Sequence, residues 1–152
     1  MSRLTEIYAA LAAISISAAG KTPLVYAYDA APSAVTTAQL PCRLLQPLGG
    51  GLDAQAVGAL ALGGGQVIRW RLTDLLLWAP AGQGRRADHS GALVAYCEAY
   101  AGAVGIGQSL DTSASRATVV NVTFEPGLFT YPKTGGSAYY GVECLVSVEE
   151  MA

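Results

Sequence analysis

Charged side chains are scarce in this sequence, with 9 lysines and arginines and 11 aspartates and glutamates among 152 residues, or 13%. An average soluble domain has about 25% charged residues. A monomer with so few charges has little with which to cover its surface. Either part of that surface is buried against other protein chains, which we favour, or loops rich in glycine, alanine, serine and threonine cover it. The low charge is the first indication of an assembly. The length favours one domain, residues 1–152, with a core of its own.

Basic residues are not in excess. The net charge is −2, the pI is about 5.2, and Arg85 and Arg86 form the single basic doublet of the sequence. Nucleic-acid-binding domains normally carry a basic stripe on their surface. The charge therefore disfavours specific binding of DNA or RNA.

Long apolar runs are also missing. No stretch reaches the ~18 consecutive apolar residues that a membrane-spanning helix needs. Residues 4–16 are apolar on one face, but they include Glu6 and lack the basic start and continuous apolar core of a signal peptide. We expect no membrane partner.

Cysteine and histidine are too few and too scattered for common catalytic or metal sites. The three cysteines, Cys42, Cys97 and Cys144, are widely spaced within apolar patterns, which favours buried reduced thiols over a zinc site. His89 is the single histidine, and the adjacent Asp88 and Ser90 cannot face it as a catalytic triad requires.

Two glycine triplets, residues 49–51 and 63–65, resemble phosphate-binding loops only in composition. They match neither the Walker pattern nor a Gly-x-Gly-x-x-Gly turn. We therefore expect no cofactor, no metal and no enzymatic activity. The segment between the triplets, within residues 48–65, has no sustained hydrophobic period and is long for a loop. It is predicted to be an extended arm or a hairpin tip.

The strongest secondary-structure signal is residues 67–78. Ile68, Trp70 and Leu72 alternate with polar neighbours, as in a half-buried strand. At Thr73–Asp74 the alternation shifts by one residue, which predicts a bulge or sharp twist near Asp74.

The other periodic segments complete the order helix, strand, strand, long strand, helix, strand, strand. Helices are predicted at residues 2–15 and 88–104, the second with Asp88 as N-cap. Short strands are predicted at 24–28 and 42–46 and longer ones at 116–125 and 138–149. Alternation in the first longer strand places Thr118, Val120, Val122 and Phe124 on one face and Val119, Asn121 and Thr123 on the other. In the last strand it places Tyr140, Val142, Cys144, Val146 and Val148 on one face and Tyr139, Glu143, Ser147 and Glu149 on the other. The last two strands are expected to pair antiparallel. The predicted fold is α+β, a single mainly antiparallel sheet with two helices packed on one face.

Charged residues on the strands are the candidate contact residues. Arg69 and Arg71 are predicted to share one strand face and to find acidic partners, Glu125 or Glu143, across a subunit boundary. Paired glutamates could support acid–base chemistry, but strand glutamates more often form a solvated or subunit-facing surface.

The order of the elements and the residue types within them resemble those of the tail terminator, or tail completion, proteins of long-tailed bacteriophages. The resemblance rests on the N-terminal helix, on the short strand Val25-Tyr26-Ala27-Tyr28, and on the Leu40-Pro41 step that enters the second strand. It continues in the helix that follows the long strand and in the closing strand at residues 139–148. It covers nearly the whole chain, but it involves no motif as specific as a metal signature.

The resemblance implies a structural virion protein without chemistry of its own. Such proteins form a homo-oligomeric ring, here expected to be a hexamer, that caps the tail tube and meets the head connector. Expected partners are other copies of this chain, the tail tube protein and a head-completion or connector protein. DNA would pass through the channel without specific binding. The expected location is the virion neck, after assembly in the host cytoplasm.

Two sets of residues follow as expected sites in such a ring. Subunit or tube contacts are expected at Arg69, Arg71, Gly50, Leu52, Asp53, Val57 and Leu60. An acidic, channel-facing set that would repel DNA phosphates is expected at Glu125, Glu143, Glu149 and Glu150.

Two other functions fit the sequence. One is another ring-forming neck or tail component, such as a head-closure or tail tube protein. The other is a small-ligand binding module with an aromatic pocket built from Tyr26, Tyr28, Trp70, Trp78, Tyr96 and Tyr100.

Overall fold

The fold is described by a computed structural model for residues 3–45, 53–60, 66–132 and 134–151; for residues 3, 53–60 and 66 this covers the backbone alone. In chain order the elements are α1 (Arg3–Ala13), β1 (Leu24–Tyr26), a 3-10 turn (Thr37–Gln39), β2 (Cys42–Leu45), β3 (Asp53–Leu60), β4 (Gln66–Pro80), α2 (Arg86–Ala103), β5 (Arg116–Tyr131) and β6 (Ser137–Met151). The fold is α+β, as the sequence predicted.

All six strands belong to one sheet with the order β1-β2-β4-β6-β5. β4 is long enough to have two partners on one side, since β3 pairs with its first part and β2 with its second. β6 pairs along nearly the full length of β4 on the other side. β1 and β2 are parallel and every other pair is antiparallel. The predicted mainly antiparallel sheet and the antiparallel closing strands are confirmed.

Both helices pack on the same face of the sheet, called the helical face below. α1 contributes its predicted stripe, including Ile7 and Leu11, and α2 contributes Tyr96 and Tyr100. β6 meets them with alternate residues, as predicted from its period of two; these are Tyr140, Val142, Cys144, Val146 and Val148. Within the described residues, neither helix is long and apolar enough to cross a membrane.

The predicted bulge near Asp74 is wrong. β4 pairs with β6 in continuous register through Asp74, and the register shift lies between Leu77 and Ala79. The apolar residues that suggested a slip, Leu75 and Leu77, point away from the helices into a second core. Residues on the 27–40 connection, such as Val35, help to form that core, so this end of the sheet is buried on both faces.

The second core consists of the buried side chains Val35, Cys42, Leu44, Leu75, Leu77, Tyr131 and Tyr139. It covers the end of the sheet that contains β1 and β2. Among the described residues, none covers the rest of this second face.

The segment within residues 48–65 is also different from its prediction. Its middle forms β3, an additional strand that makes an antiparallel hairpin with β4. Residues 53–60 are therefore part of the sheet, and the predicted hairpin tip, at residues 61–65, lies outside the described residues. The sequence did not predict this strand, because β3 consists mostly of small residues and has no hydrophobic period of two.

β5 is longer than predicted, since it continues through Pro126 and Gly127 to Tyr131. Proline is tolerated in an edge strand, where its nitrogen can face away from the ladder, and β5 is the last strand of the sheet. α2 begins at Arg86, so Asp88 lies in the first turn and not at the predicted N-cap position. Its carboxylate accepts a hydrogen bond from the Arg85 backbone nitrogen at 2.9 Å.

Candidate functional site: the open face of the sheet

The uncovered part of the second face presents mostly polar side chains, and we call it the open face. The pairing registers define it as Arg69, Arg71 and Thr73 of β4, Glu143, Leu145, Ser147 and Glu149 of β6, and Thr118, Asn121, Thr123 and Glu125 of β5. None of these eleven side chains is fully buried. The polar–apolar alternation of three adjacent strands produces this face, because each strand buries its other side under the helices.

Arg69 already has a partner within the chain. Its Nε donates to Glu149 Oε2 at 3.3 Å, and the two residues are direct cross-strand neighbours. The arginine side chain is 56% exposed and the glutamate 31%. Exposed pairs of this kind contribute about 0–1 kcal/mol. The pair neutralises one positive and one negative charge of the open face, so each of these two charges already has a partner within the chain.

Arg71 borders a shallow depression of about 380 Å³, which is lined by Arg69, Trp70, Arg71, Val120, Asn121 and Ser147. The depression lies where the register of β5 shifts between Val119 and Asn121. The shift turns Asn121 toward the same face as Thr118, and it corrects the predicted alternation, which had grouped Thr118 with Val122. The result is an arginine beside amide and hydroxyl groups, a setting suited to a carboxylate.

Glu125 and Glu143 lie further along the same face. They are direct partners in the β5–β6 ladder. Like charges directly opposite each other in a sheet are destabilising. Partial burial and, next in importance, the charge of Glu125 raise the pKa of the Glu143 carboxyl. The open face thus has an arginine end and an acidic end.

Glu150 does not belong to the acidic set, which corrects its predicted channel-facing role. It lies on the helical face and is 0% exposed. Its carboxylate accepts hydrogen bonds from Trp70 Nε1 at 3.1 Å and from the Ser115 hydroxyl at 2.5 Å. Adjacent residues of a strand point to opposite faces, so Glu149 and Glu150 could not both face one surface.

The expected contact residues of the hairpin are only partly placed. Gly50 and Leu52 lie outside the described residues. Asp53, Val57 and Leu60 are in β3, where the backbone of Asp53 is paired opposite Arg71. Val57 lies within the irregular stretch between Gln55 and Ala59.

A buried ionic cluster on the helical face was not predicted as a unit. Arg43 and Asp74 are both 0% exposed, and Arg43 Nη2 donates to Asp74 Oδ2 at 2.7 Å. The Tyr100 hydroxyl donates to the same oxygen at 2.8 Å. Arg43 also donates to two carbonyls at the end of α1, those of Ile14 at 2.7 Å and Leu11 at 3.4 Å.

The chemistry of this cluster is structural. Burial lowers the pKa of Arg43, but the charge and hydrogen bonds of Asp74 outweigh this effect and raise it. Burial and the nearby Asp74 charge raise the pKa of Tyr100. Arg43 and Tyr100 therefore keep their protons. The hydrogen bonds of the cluster connect α1 and α2 to β2 and β4. The signal in the sequence was one charged residue within each of two apolar strands, Arg43 and Asp74.

His89, the single histidine, contacts the turn after β4 and strand β6. His89 Nε2 lies 2.7 Å from the Gln83 carbonyl and its ring packs near Tyr140, which ties the turn after β4 to α2. Among the described residues, no group of three or more histidine, cysteine, aspartate or glutamate side chains is placed to hold a metal ion.

The aromatic residues proposed for a ligand pocket do not line one cavity. Trp70, Trp78, Tyr96 and Tyr100 belong to the helical-face core. Tyr26 packs against the second core, and Tyr28 stacks on Tyr8 with ring centroids 5.2 Å apart. This division leaves the small-ligand module without a pocket built from these side chains.

Comparison with known proteins adds no assignment, since no family model, curated protein or solved structure matches this chain.

Proposed function

We propose that this chain is a structural subunit of a homo-oligomeric ring, of the type that caps the tail tube of a long-tailed bacteriophage and joins it to the head connector. The ring is expected to be a hexamer and to leave a channel through which DNA passes without specific contacts. The proposal includes location in the virion neck and no enzymatic activity.

The observation that supports self-association most is the open face. A sheet that is covered on one side by two helices leaves ten polar or charged side chains and Leu145 on the other. Arg71 and the Arg69–Glu149 pair are at one end of this face, and the Glu125–Glu143 pair is at the other. The face holds five of the 20 charged residues of the chain. Charge separated in this way favours an ordered, oriented contact over a random one.

The two edges of the sheet are formed by different strands. β5 ends the sheet on one side, and β1 and β3 are at the other side. The two sides are chemically different, so contact between them is head-to-tail, and such contacts generate rings when the rotation closes. The predicted element order that resembles tail terminators agrees with the observed one except for the addition of β3.

The role at the tail can be tested with tail tubes assembled from a purified tube protein. That protein should be the tail tube protein of a long-tailed phage whose gene lies beside the gene for this chain. The expected result is extra density at one end of each tube in negative-stain images, and tubes that no longer lengthen when more tube protein is added. Tubes that keep growing with bare ends, in the presence of rings of this chain, would contradict the terminator role. That result would favour the alternative of another ring-forming neck component.

A further inference from the structure

We infer that the acidic end of the open face, Glu125 and Glu143, is the binding site for the arginine-bearing β4 side of a second copy of this chain, with Arg71 as the principal cation. The inference rests on the proposed ring, and it specifies which surfaces of neighbouring copies meet.

The first argument is the position of the charges across the sheet. Glu125 is exposed on β5, the last strand on one side. Arg71 is exposed on β4, and within the described residues its neighbour on the side away from β6 is β3. Arg71 lies opposite Ser147, four residues along β6 from Glu143, so the cation and the carboxylates are separated on one face and need a second copy to come into contact.

The second argument is the cross-strand pair itself. Glu125 and Glu143 are directly opposed, which costs stability in the isolated chain. A neighbouring guanidinium would neutralise the repulsion and could bridge the two carboxylates. Arg69 is less available for this role, because Glu149 already accepts its hydrogen bond.

The third argument is that the β5 edge is accessible without inviting backbone pairing. Residues 107–110 bond to β5 only around Ala117 and Val119, and in the described part of the chain no strand pairs with the rest of its outer edge. Pro126, next to Glu125, removes one donor from β5, and proline is a known protection of sheet edges against uncontrolled pairing. Contact through side chains is thus favoured over continuation of the ladder.

The register predicts the geometry of the contact. Arg71 lies opposite Ser147, and Ser147 lies opposite Asn121 on β5. Glu125 is four residues further along β5, or about 13 Å at ~3.3 Å per residue. Adjacent copies whose strands run in the same direction must therefore be displaced along the strands by about that distance for Arg71 to meet Glu125.

Charge reversal tests the pairing with two variants. The first replaces both carboxylates, Glu125→Lys with Glu143→Lys, and the second is Arg71→Glu. Each variant brings like charges together at every contact, so self-association should weaken about hundredfold or more. In an equimolar mixture each contact again joins opposite charges, so rings of alternating variants should form. A single chain with all three changes should also assemble.

Matched controls are Glu98→Lys and Arg86→Glu, which change exposed charges on α2 and should leave assembly unchanged. Circular dichroism and the unfolding midpoint of each monomeric variant show whether it is folded, and the rescue by mixing requires folded partners. Solution mass by light scattering is the measurement. Variants that assemble alone like wild type, or folded variants that are not rescued by mixing, would overturn this pairing while leaving the ring itself intact. A wild-type chain that never associates would overturn both.

Discussion

Glu125 and Glu143 face each other directly across β5 and β6 on the side of the sheet that no helix covers. Sequence alternation predicted that each would be on a strand surface, but the register decides that they are partners. Two carboxylates in such a pair repel each other in the isolated chain. Their pairing has consequences for stability that can be measured without any knowledge of the assembly.

Glu143→Gln should stabilise the isolated chain at neutral pH by about 0.2–1 kcal/mol, because it removes the like-charge contact. Folding raises the pKa of Glu143 above its ordinary value of 4.5, so the folded state holds this proton more tightly than the unfolded state. The carboxyl favours folding at low pH, and that contribution is lost as the pH rises through the raised pKa.

The measurement for this prediction is urea unfolding at about pH 3 and pH 7. The gain from Glu143→Gln should be present at the higher pH and nearly absent at the lower one, where wild-type Glu143 is protonated. Glu98→Gln on α2 is the control. An equal gain at both pH values would show that charge repulsion is not the cause.

Tyr96 and Tyr100 are one helical turn apart in α2 and should respond differently to loss of the hydroxyl. Tyr100→Phe removes a hydrogen bond to the Asp74 carboxylate, and bonds to charged groups contribute about 1.5–3 kcal/mol. The buried Tyr96 hydroxyl has no hydrogen-bond partner among the residues that the structure describes, so Tyr96→Phe should be neutral or stabilising. Equal losses of unfolding free energy in the two variants would contradict these positions.

The Arg43–Asp74 pair should be strongly asymmetric in its response to substitution. Removal of one partner, as in Asp74→Leu, leaves Arg43 buried without its counter-ion and should cost about 3–5 kcal/mol. The double variant Arg43→Met with Asp74→Leu leaves no buried charge and should recover much of that loss. Denaturant unfolding of the single and double variants forms the thermodynamic cycle, and losses that simply add would contradict the buried pair.

Gly141 and Gly127 are opposed in the β6–β5 ladder and give a matched pair of substitutions. A Cβ at Gly141 would lie 1.9 Å from the Leu76 carbonyl oxygen, while a Cβ at Gly127 would meet no atom within 4 Å. Gly141→Ala should therefore destabilise the fold by about 1–3 kcal/mol or more through overpacking. Gly127→Ala should be close to neutral or slightly stabilising. Thermal unfolding of both variants tests the close approach of β6 to β4.

Sequence reasoning found the elements whose period is regular and missed those whose partners decide their structure. Alternation in β6 predicted both of its faces, from Val142 through Val148. β3 was missed because its residues show no alternation, and its pairing with β4 alone makes it a strand. The extension of β5 past Pro126 depends on its being an edge strand, which a single sequence does not reveal.

The candidate site was also predicted in part, where the strand pattern was regular, and missed where contacts between distant residues decide the structure. The arginine and glutamate positions on the strands were predicted, and most of them do lie on the open face. Glu150 was assigned to the wrong surface because its burial depends on Trp70 and on a loop serine, Ser115, neither of which is adjacent in sequence. The prediction that Arg69 pairs with another subunit did not anticipate Glu149, which is 80 residues away in the chain but directly across the ladder.

The solution mass of the purified wild-type chain tests the proposed ring most directly. Light scattering over a range of concentrations should give a species near six times the chain mass of 15.6 kDa, with annular particles in negative-stain images and weaker association at high salt. A mass of one chain at every concentration, unchanged when tail tubes are added, would contradict the ring and with it the proposed function.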